Sequence, residues 1–346
     1  MITQKYQALL ADWNEQNQLY QPSIFWSEAS LELIEEFDKK GIENFRSLAS
    51  SLSFFVPTYG VPGGGFTTEI IERLRQSLTG QVTSKQNDTI NHFFSGHANA
   101  LADYRVFLAA NQKESFPKFY TFSESQEGNP IEQFEFDGHH YSRSALNYLL
   151  GLSYLKNFSD FSDIKTVLEI GGGFGTLGEI ILKTLPGAQY IDVDIPPTSF
   201  AAEYYLQQVF GKNKVSNYND TKDLNEIKIN ELNTASVLNS WQIEQLSGQI
   251  DLFVNFISFQ EMEPEIVENY LQKVKALNAK WLLLRNIREG KQLRKDNRFG
   301  VDKPIFSKDY IKMLGGYELI GTNVYPFGYK TIDEFHSEIM LFKRFD

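Results

Sequence analysis

Apolar residues recur at helical spacing through most of the first half of the chain. The first such pattern begins after Ser27, a residue type that caps helix N-termini, and has apolar positions at Leu31, Ile34, Phe37, Ile42 and Phe45. The same period predicts further helices over Thr67–Leu78, about Asn91–Asn111 and Tyr141–Phe158. The first half is therefore predicted to be mainly helical.

Two irregular segments interrupt these helices. Ser53–Phe66 contains two prolines and a glycine triplet, which cannot continue a helix, so we expect a loop there, either a surface loop or a substrate lid. Lys113–Gly138 has no clear period, and a long irregular connection in a compact protein is often a binding loop.

The period changes at Lys165, where short β-branched runs alternate with helix-length segments. Strands are predicted at IKTVLEI, YIDVDI, Ala235–Leu238, Asp251–Phe256 and Trp281–Leu284, and a helix near Ser307–Leu314. Alternating strands and helices predict an α/β fold with a Rossmann-like parallel sheet. The last two strand-like stretches flank a Pro-Phe-Gly turn without a crossover helix, so they predict an antiparallel hairpin.

The length of 346 residues is that of two domains. We predict a helical N-terminal substrate or lid domain over 1–155 and a Rossmann-like domain over 156–346. The sequence has no run of roughly 18 apolar residues and its start resembles no signal peptide, so we expect a cytoplasmic protein without a membrane partner. The absence of cysteine excludes disulfides, thiolate nucleophiles and thiolate zinc sites.

A net charge of -11 disfavours nucleic acid as a partner. The densest basic stretch, Arg285–Arg298, is predicted to be a solvated loop between a strand and a helix. With 28 Phe and 17 Tyr, the surface has room for a homo-oligomer interface but does not demand one.

The strongest motif is VLEIGGGFGTLGEIILKTLPGAQYIDVDIPP, a glycine-rich turn between a strand and a helix. Gly171, Gly173 and Gly175 allow a sharp turn and close approach of a ligand to the backbone, and the helix near Thr176 offers free N–H groups. Asp194, at the end of the next strand, is placed to accept hydrogen bonds from a ribose diol. The motif predicts a nucleoside site.

The spacing of Gly173, Gly175 and Gly178 also fits a dinucleotide fingerprint, so glycines alone do not separate NAD from S-adenosylmethionine. Three features favour S-adenosylmethionine: Glu169 lies where a carboxylate can meet a cationic methionine group, the turn begins in mid-chain, and the sheet ends in a hairpin. A nicotinamide enzyme would need a second βαβ half.

LEIGGGFG and IDVDIPP resemble the first two motifs of class I S-adenosylmethionine-dependent methyltransferases, a resemblance that covers about Lys165–Asp346 and implies a seven-stranded methyltransferase sheet. It implies methionine contacts from Glu169 and the Gly171–Gly175 turn, ribose contacts from Asp194, and Ile195 beside the adenine. The acidic residue common after the third strand is replaced here, so adenine contacts are assigned to Asn239, Ser240 and Trp241. With FDGHHYSRSALNYLLGLSYL and NFISFQEM, the whole chain also resembles a bacterial group of sugar O-methyltransferases.

Methyl transfer needs a pocket that aligns the acceptor and excludes water, and a base assists a hydroxyl acceptor. In this fold the acceptor lies over the end of the fourth strand, which indicates Asn255, Ser258, Gln260 and Glu261. His139, His140 and Glu261 are the candidate bases, and Tyr141 and Arg143 could orient a polar substrate. His92, His97 and His336 are interpreted as structural.

The reaction class has open alternatives. The favoured function is methylation of a hydroxyl on a sugar or similar polar small molecule, without a metal, because Asp194 is assigned to ribose and not to a metal shared with Asp192. An N-methyltransferase acting on a natural-product amine, a non-catalytic methyltransferase-like binding protein and a nicotinamide dehydrogenase remain as alternatives.

Overall fold

The computed structural model describes residues 2–60, 68–111, 115–295, 300–325, 328, 330 and 334–345. The glycine triplet of the first predicted loop, the end of the basic stretch and two residues of the Pro-Phe-Gly turn lie outside these ranges. The first half contains helices α1 (Ile2–Asn14), α2 (Ile24–Lys40), α3 (Ala49–Phe54), α4 (Thr68–Leu78), α5 (Ser84–Phe94) and α6 (His97–Ala110), then strands β1 (Phe134–Phe136) and β2 (His139–Tyr141).

The second half alternates strands with helices. Its elements are α7 (Arg143–Leu155), β3 (Thr166–Ile170), α8 (Thr176–Thr184), β4 (Gln189–Asp194), α9 (Thr198–Phe210), β5 (Val215–Ser216), α10 (Tyr218–Thr221), β6 (Ile227–Lys228), β7 (Ala235–Asn239), β8 (Leu246–Ser247), β9 (Leu252–Phe256), α11 (Pro264–Ala276), β10 (Trp281–Ile287), α12 (Ser307–Met313), β11 (Tyr317–Tyr325) and β12 (Ser337–Arg344). Short 3-10 helices occur at Gln18–Tyr20, Ile42–Ser47, Phe119–Thr121, Lys212–Lys214, Ile229–Glu231, Ser240–Glu244 and Ser258–Glu261.

The main sheet confirms the predicted Rossmann-like fold. Within the described chain its strand order is β11-β12-β10-β9-β3-β4-β7-β5. The strands from β10 to β5 are parallel, and β12 pairs antiparallel with both β10 and β11, as the terminal hairpin predicted. The two-residue edge strand β5 is an addition to the seven strands expected. The strand order reverses between β3 and β9, where α/β sheets open a crevice for ligands at their carboxyl ends.

Two predicted helix boundaries were wrong. The cap of α2 is Ser23, whose hydroxyl accepts the N–H of Trp26, and not Ser27. The helix predicted over Asn91–Asn111 is two helices, because Gly96 has a φ of +78° and ends α5 before α6 begins. The break brings His97 Nδ1 within 3.2 Å of His92 Nε2, although the two residues are poorly spaced for one helical face.

The N-terminal helices pack directly against residues of the second half of the chain. One hydrophobic core contains Phe37 and Phe45 from the first half together with Phe174 and Tyr205 from the second. The Phe45 ring lies 5.4 Å from that of Phe174 and 6.1 Å from that of Tyr205, measured between centroids. The division at 155/156 stays a prediction. None of the helices in the described ranges combines the length and apolar character needed to cross a membrane.

A buried ion pair stabilises this packing. Arg46 is 1% exposed, and its Nη2 donates to Glu124 Oε2 at 2.9 Å. Glu124 also accepts hydrogen bonds from both the N–H and the hydroxyl of Ser142, each at 2.8 Å. The Arg46 guanidinium lies over the Phe174 ring, 5.1 Å from its centroid. The pair therefore joins the N-terminal region to the start of α7 and to the glycine-rich turn.

We expect Arg46→Met to lower the free energy of unfolding by about 3–5 kcal/mol, because Glu124 would keep its buried charge without the guanidinium. Urea denaturation monitored by circular dichroism measures the change. The control is Lys228→Met, which removes an exposed ion pair with Glu231 and should change stability by less than about 1 kcal/mol. Equal effects of the two variants would contradict the assigned role of Arg46.

Candidate functional site

The glycine-rich turn connects β3 to α8 in backbone conformations that favour glycine. Gly171, Gly173 and Gly175 have φ values of +74°, +65° and +89°, a region that L side chains rarely adopt. The Gly171 N–H donates to the carbonyl of Val193 at 2.9 Å, which fixes the turn against the end of β4. These three glycines are therefore required by the backbone path.

Gly172 has a different constraint, the close approach of buried oxygen atoms. A Cβ added there would lie 2.6 Å from Asp192 Oδ1, 2.8 Å from Glu169 Oε2 and 2.9 Å from the Tyr190 hydroxyl. At Gly173 the nearest atom to such a Cβ would be the Phe55 carbonyl oxygen at 3.8 Å. The turn is closed on the side of the carboxylates and open on the side of Gly173.

Two carboxylates are fully buried beneath the turn. Glu169 accepts hydrogen bonds from the hydroxyls of Tyr148 at 2.7 Å and Tyr190 at 2.6 Å. Asp192 Oδ1 accepts the N–H of Gly172 at 3.2 Å, whereas its Oδ2 has no hydrogen-bond partner among the described residues. Burial raises the pKa of Glu169 to about 8 and that of Asp192 well above its usual value. The negative charge of one opposes ionisation of the other.

Asp194 lies at the edge of this cluster and lines a cavity. Its carboxylate accepts the N–H groups of Gly173 at 2.9 Å and Ile195 at 2.7 Å. Burial raises the pKa of Asp194 to about 6, against the opposing effect of these hydrogen bonds. A carboxylate has about four acceptor positions, so Asp194 can still accept from ligand hydroxyls.

The cavity occupies about 1120 Å³ at the carboxyl ends of the parallel strands. Its other side is formed by N-terminal residues, which lie within 17–26 and 52–58. Tyr20 anchors the first of these segments. Its hydroxyl donates to Glu244, at the end of the 3-10 helix after β7, at 2.5 Å, and its carbonyl accepts the indole N–H of Trp13 in α1 at 2.6 Å. The helical region therefore covers one side of the crevice.

Eight of the residues singled out in the sequence line this cavity: Arg143, Gly171, Gly173, Asp194, Ile195, Ser240, Ser258 and Glu261. They come from α7 and from segments that follow β3, β4, β7 and β9. The carboxyl ends of neighbouring parallel strands meet at one edge of a sheet, which is why residues far apart in sequence converge there.

Four proposed cofactor residues do not line the cavity. Glu169 lies beneath the turn, and a Cβ on Gly175 would contact Leu206 of α9 at 3.1 Å. Asn239 caps the 3-10 helix after β7 and accepts the Ser199 hydroxyl. Trp241 stacks on Trp13, with ring centroids 6.2 Å apart. These residues shape the walls behind the cavity rather than its surface.

Asn255 and Gln260 lie behind the proposed acceptor wall. The Asn255 amide donates to the carbonyl of Ile170 at 2.9 Å and to the Ser258 hydroxyl at 2.6 Å. Gln260 Oε1 accepts the N–H of Ile287 at 2.9 Å. Both side chains join strand ends to each other, and neither is among the described residues that line the cavity.

The histidine pair is likewise remote from the described lining. His139 and His140 belong to β2, which pairs with β1, and the His140 N–H donates to the Ser123 hydroxyl at 3.0 Å. Tyr141 is fully buried beside Tyr104, with ring centroids 5.2 Å apart. None of the three is among the described residues that line the cavity, and the sequence pattern did not reveal the short hairpin that holds them.

Sequence reasoning missed Tyr148, Phe256 and Arg285, which line the cavity. The Tyr148 and Phe256 rings stack at 5.1 Å. Arg285 was grouped with the basic stretch predicted as a solvated loop, but it belongs to β10 and is 7% exposed. The sequence signal for its burial was its position directly after the apolar run WLLL, which a strand could continue. Among the described residues, no group of three or more acidic or histidine side chains is arranged to hold a metal ion.

No protein-family model and no curated protein matches the sequence. Comparison with solved structures finds similar folds. The mitomycin 7-O-methyltransferase MmcR is 12% identical, over 95% of this chain and 76% of that chain, with a TM-score of 0.38. Magnesium protoporphyrin IX methyltransferase from Synechocystis PCC 6803, with bound SAH, is 15% identical, over 59% and 84%, with a TM-score of 0.39. An S-adenosylmethionine-dependent methyltransferase from Clostridium acetobutylicum ATCC 824 is 12% identical, over 59% and 92%, with a TM-score of 0.38.

The buried Glu169 makes stability depend on pH in a defined direction. Its folded-state pKa of about 8 lies above the ordinary value of 4.5. Below this ordinary value the carboxyl group is protonated in both the folded and the unfolded state. The stability that the chain gains from keeping this buried group neutral is then fully present. As pH rises towards the folded-state pKa, the unfolded state releases its proton first, so this group lowers the free energy of unfolding by up to about 1.4 kcal/mol per pH unit.

Glu169→Gln should therefore flatten the decline in stability between about pH 5 and 8, since glutamine keeps hydrogen bonds with Tyr148 and Tyr190 but does not ionise. Urea denaturation at several pH values measures the slope. Glu268→Gln on α11, an exposed position, is the control and should leave the slope unchanged. A Glu169→Gln slope equal to that of the wild type would contradict the assignment.

Proposed function

We propose that the protein is an S-adenosylmethionine-dependent methyltransferase acting on a hydroxyl of a sugar or similar polar small molecule. In this proposal, 156–346 is the catalytic domain and 1–155 is the domain that covers the substrate. The observation that carries the proposal is the glycine turn, which presents its open side and Asp194 to one cavity at the strand ends.

The residues present fit the proposed cofactor. Asp194 would accept hydrogen bonds from the ribose hydroxyls, and Ile195 and Ser240 line the neighbouring surface for the adenine. Gly171 and Gly173 would meet the methionine portion with no side chain between it and the backbone. A cationic ligand over the turn would favour ionisation of the buried acids Glu169, Asp192 and Asp194. Asp192 Oδ2, which has no hydrogen-bond partner among the described residues, lies beneath this surface.

When bound, S-adenosylmethionine supplies an electrophilic methyl group on a sulfonium. The chain would contribute alignment of the acceptor and exclusion of water, because the N-terminal segments form one side of the cavity. Ile257 is notable here, since it lines the cavity with a φ of +75°, a strained conformation for a β-branched residue. The Ile257 N–H donates to the Arg285 carbonyl at 2.7 Å, and this hydrogen bond stabilises the strained backbone conformation.

Glu261 is the candidate base best supported by its position. It lines the cavity, unlike His139 and His140, and its Oε1 accepts from Lys291 Nζ at 2.6 Å. A carboxylate at this place can accept the proton of an acceptor hydroxyl or orient that hydroxyl by a hydrogen bond.

Isothermal titration calorimetry with S-adenosylhomocysteine, and separately with NAD and NADP, tests the cofactor. We expect S-adenosylhomocysteine alone to bind. Gly173→Arg should abolish that binding, because its side chain would enter the cavity from a backbone position that already disfavours L residues. The matched control is Gly187→Arg, since Gly187 has a comparable φ of +78° and open space around it.

Binding of a nicotinamide cofactor instead would overturn the proposal and favour a dehydrogenase. Equal loss of binding in the Gly173→Arg and Gly187→Arg proteins would mean that the effect is not specific to the turn.

Glu261→Gln tests the base. With the acceptor that shows the highest turnover in a panel of sugars and amines, we expect kcat to fall by about 10²–10⁴-fold, while the Kd for S-adenosylhomocysteine changes by less than about twofold. Glu265→Gln is the control, because Glu265 also lines the cavity but is exposed. A kcat within about threefold of the wild type would exclude Glu261 as the base, and preferred turnover of an amine would favour the N-methyltransferase alternative.

A further inference from the structure

Arg285 is a cation buried in the cavity wall. It lies near the end of β10, is 7% exposed, and lines the cavity. Its neighbours in register on the two adjacent strands are Phe256 on β9 and Ile339 on β12, so both flanking side chains on its face are apolar. The guanidinium carbon lies 5.9 Å from the centroid of the Phe256 ring.

The same face of the sheet is covered by α7, which adds polar and aromatic groups to this wall. Tyr148 stacks on Phe256, and Arg143 and Asn147 are one helical turn apart, so they share a face of α7. All of them line the cavity. We call the set Arg143, Asn147, Tyr148, Phe256 and Arg285 the arginine wall. It contains two cations and no carboxylate.

The two arginines of this wall have different surroundings. Arg143 Nη1 donates to the carbonyl of Thr58 at 2.7 Å, and its charge lies near Glu132, whose carboxylate accepts the N–H groups of Tyr59 and Gly60. Arg143 thus also anchors the segment that covers the cavity. Arg285 approaches the cavity from the sheet itself, on a rigid strand.

Three of the acidic residues elsewhere in the lining have partners of their own. Glu261 pairs with Lys291, and Glu263 accepts the N–H groups of Asp302 and Lys303. Asp302 lies 3.3 Å from Arg294. Glu265 is exposed. The carboxylates of the lining therefore come from Asp194 at the glycine turn and from residues 261–265 and 302, and the arginine wall contributes none, although the protein as a whole carries a net charge of -11.

We propose that the acceptor carries an anionic group, a carboxylate or a phosphate, which Arg285 binds and thereby orients. This inference rests on the proposed function. It narrows the acceptor from polar small molecules in general to those that carry an acidic group. A guanidinium presents paired N–H donors that match the oxygens of both groups, and in a wall shielded from water the attraction is stronger than at the surface.

The test uses the full chain saturated with S-adenosylhomocysteine and matched acceptors titrated by calorimetry. The probes are glucose, glucuronate and glucose 6-phosphate, with 4-hydroxybenzamide and 4-hydroxybenzoate as an aromatic pair. We expect at least one anionic member to bind at least tenfold more tightly than its neutral counterpart. Glucuronate and 4-hydroxybenzoate carry a carboxylate, whereas glucose 6-phosphate carries a phosphate. Their affinities therefore show which of the two anionic groups Arg285 prefers.

Arg285→Met should remove that preference, and Arg285→Lys should keep part of it, because lysine retains the charge but not the paired donors. Arg288→Met is the matched control, since Arg288 lies just beyond β10, pairs with Glu338, and does not line the cavity among the described residues. Near-ultraviolet circular dichroism verifies the fold of each variant. If Arg285→Met does not fold, the Arg285→Lys protein decides, with an expected loss of about tenfold in affinity for the anion.

Equal binding of neutral and anionic members, or no binding by any anionic probe, would overturn the inference. A retained preference in a folded Arg285→Met protein, or an undiminished one in Arg285→Lys where that variant decides, would also overturn it. So would a fall in S-adenosylhomocysteine affinity in the Arg285 variants, which would assign the arginine to the cofactor carboxylate. Failure of the wild type to bind S-adenosylhomocysteine is a different result, because it would overturn the proposed function itself.

Discussion

The burial of carboxylates beneath the glycine turn is the constraint on which the site depends. Glu169 and Asp192 occupy paired positions on β3 and β4, so the sheet register itself brings their charges together. Their oxygens leave no room for a side chain at Gly172, and the hydroxyls of Tyr148 and Tyr190 satisfy Glu169 from two sides. An arrangement this unfavourable for the stability of the folded chain marks the turn as a candidate functional site.

The helical region is joined to that turn by a second buried polar network. Glu179 of α8 accepts the N–H of Ser125 at 2.8 Å and the hydroxyl of Tyr205 at 2.5 Å. The neighbouring Glu124 binds Arg46, whose guanidinium covers Phe174 within the turn. The N-terminal region thus does more than cover the crevice, because its contacts hold the helix and turn that form the crevice floor. The side chains that support the glycine turn therefore also hold the N-terminal region on the second half of the chain.

The ends of β9 and β10 form the side of the cavity that is proposed to hold the acceptor. Asn255 and Asn286 hydrogen-bond to each other at 3.2 Å and fix the two strand ends. The ends of these two parallel strands also lead to the strained Ile257 and carry Arg285, which lines the cavity. Side chains behind the lining therefore help to position Arg285 and the segment that contains the candidate base Glu261.

The sequence by itself determined the features that depend on local periodicity and backbone geometry. The strand runs, the turn of Gly171–Gly175, Asp194 at the next strand end and the terminal hairpin could all be predicted, because each is a pattern within one short segment. Only the tertiary structure decided which side chains reach the cavity. The hairpin of β1 and β2 keeps His139 and His140 outside the cavity lining that the structure describes, and Arg285 is buried because β10 extends past its apolar run. These outcomes depend on contacts between distant segments, which no local pattern records.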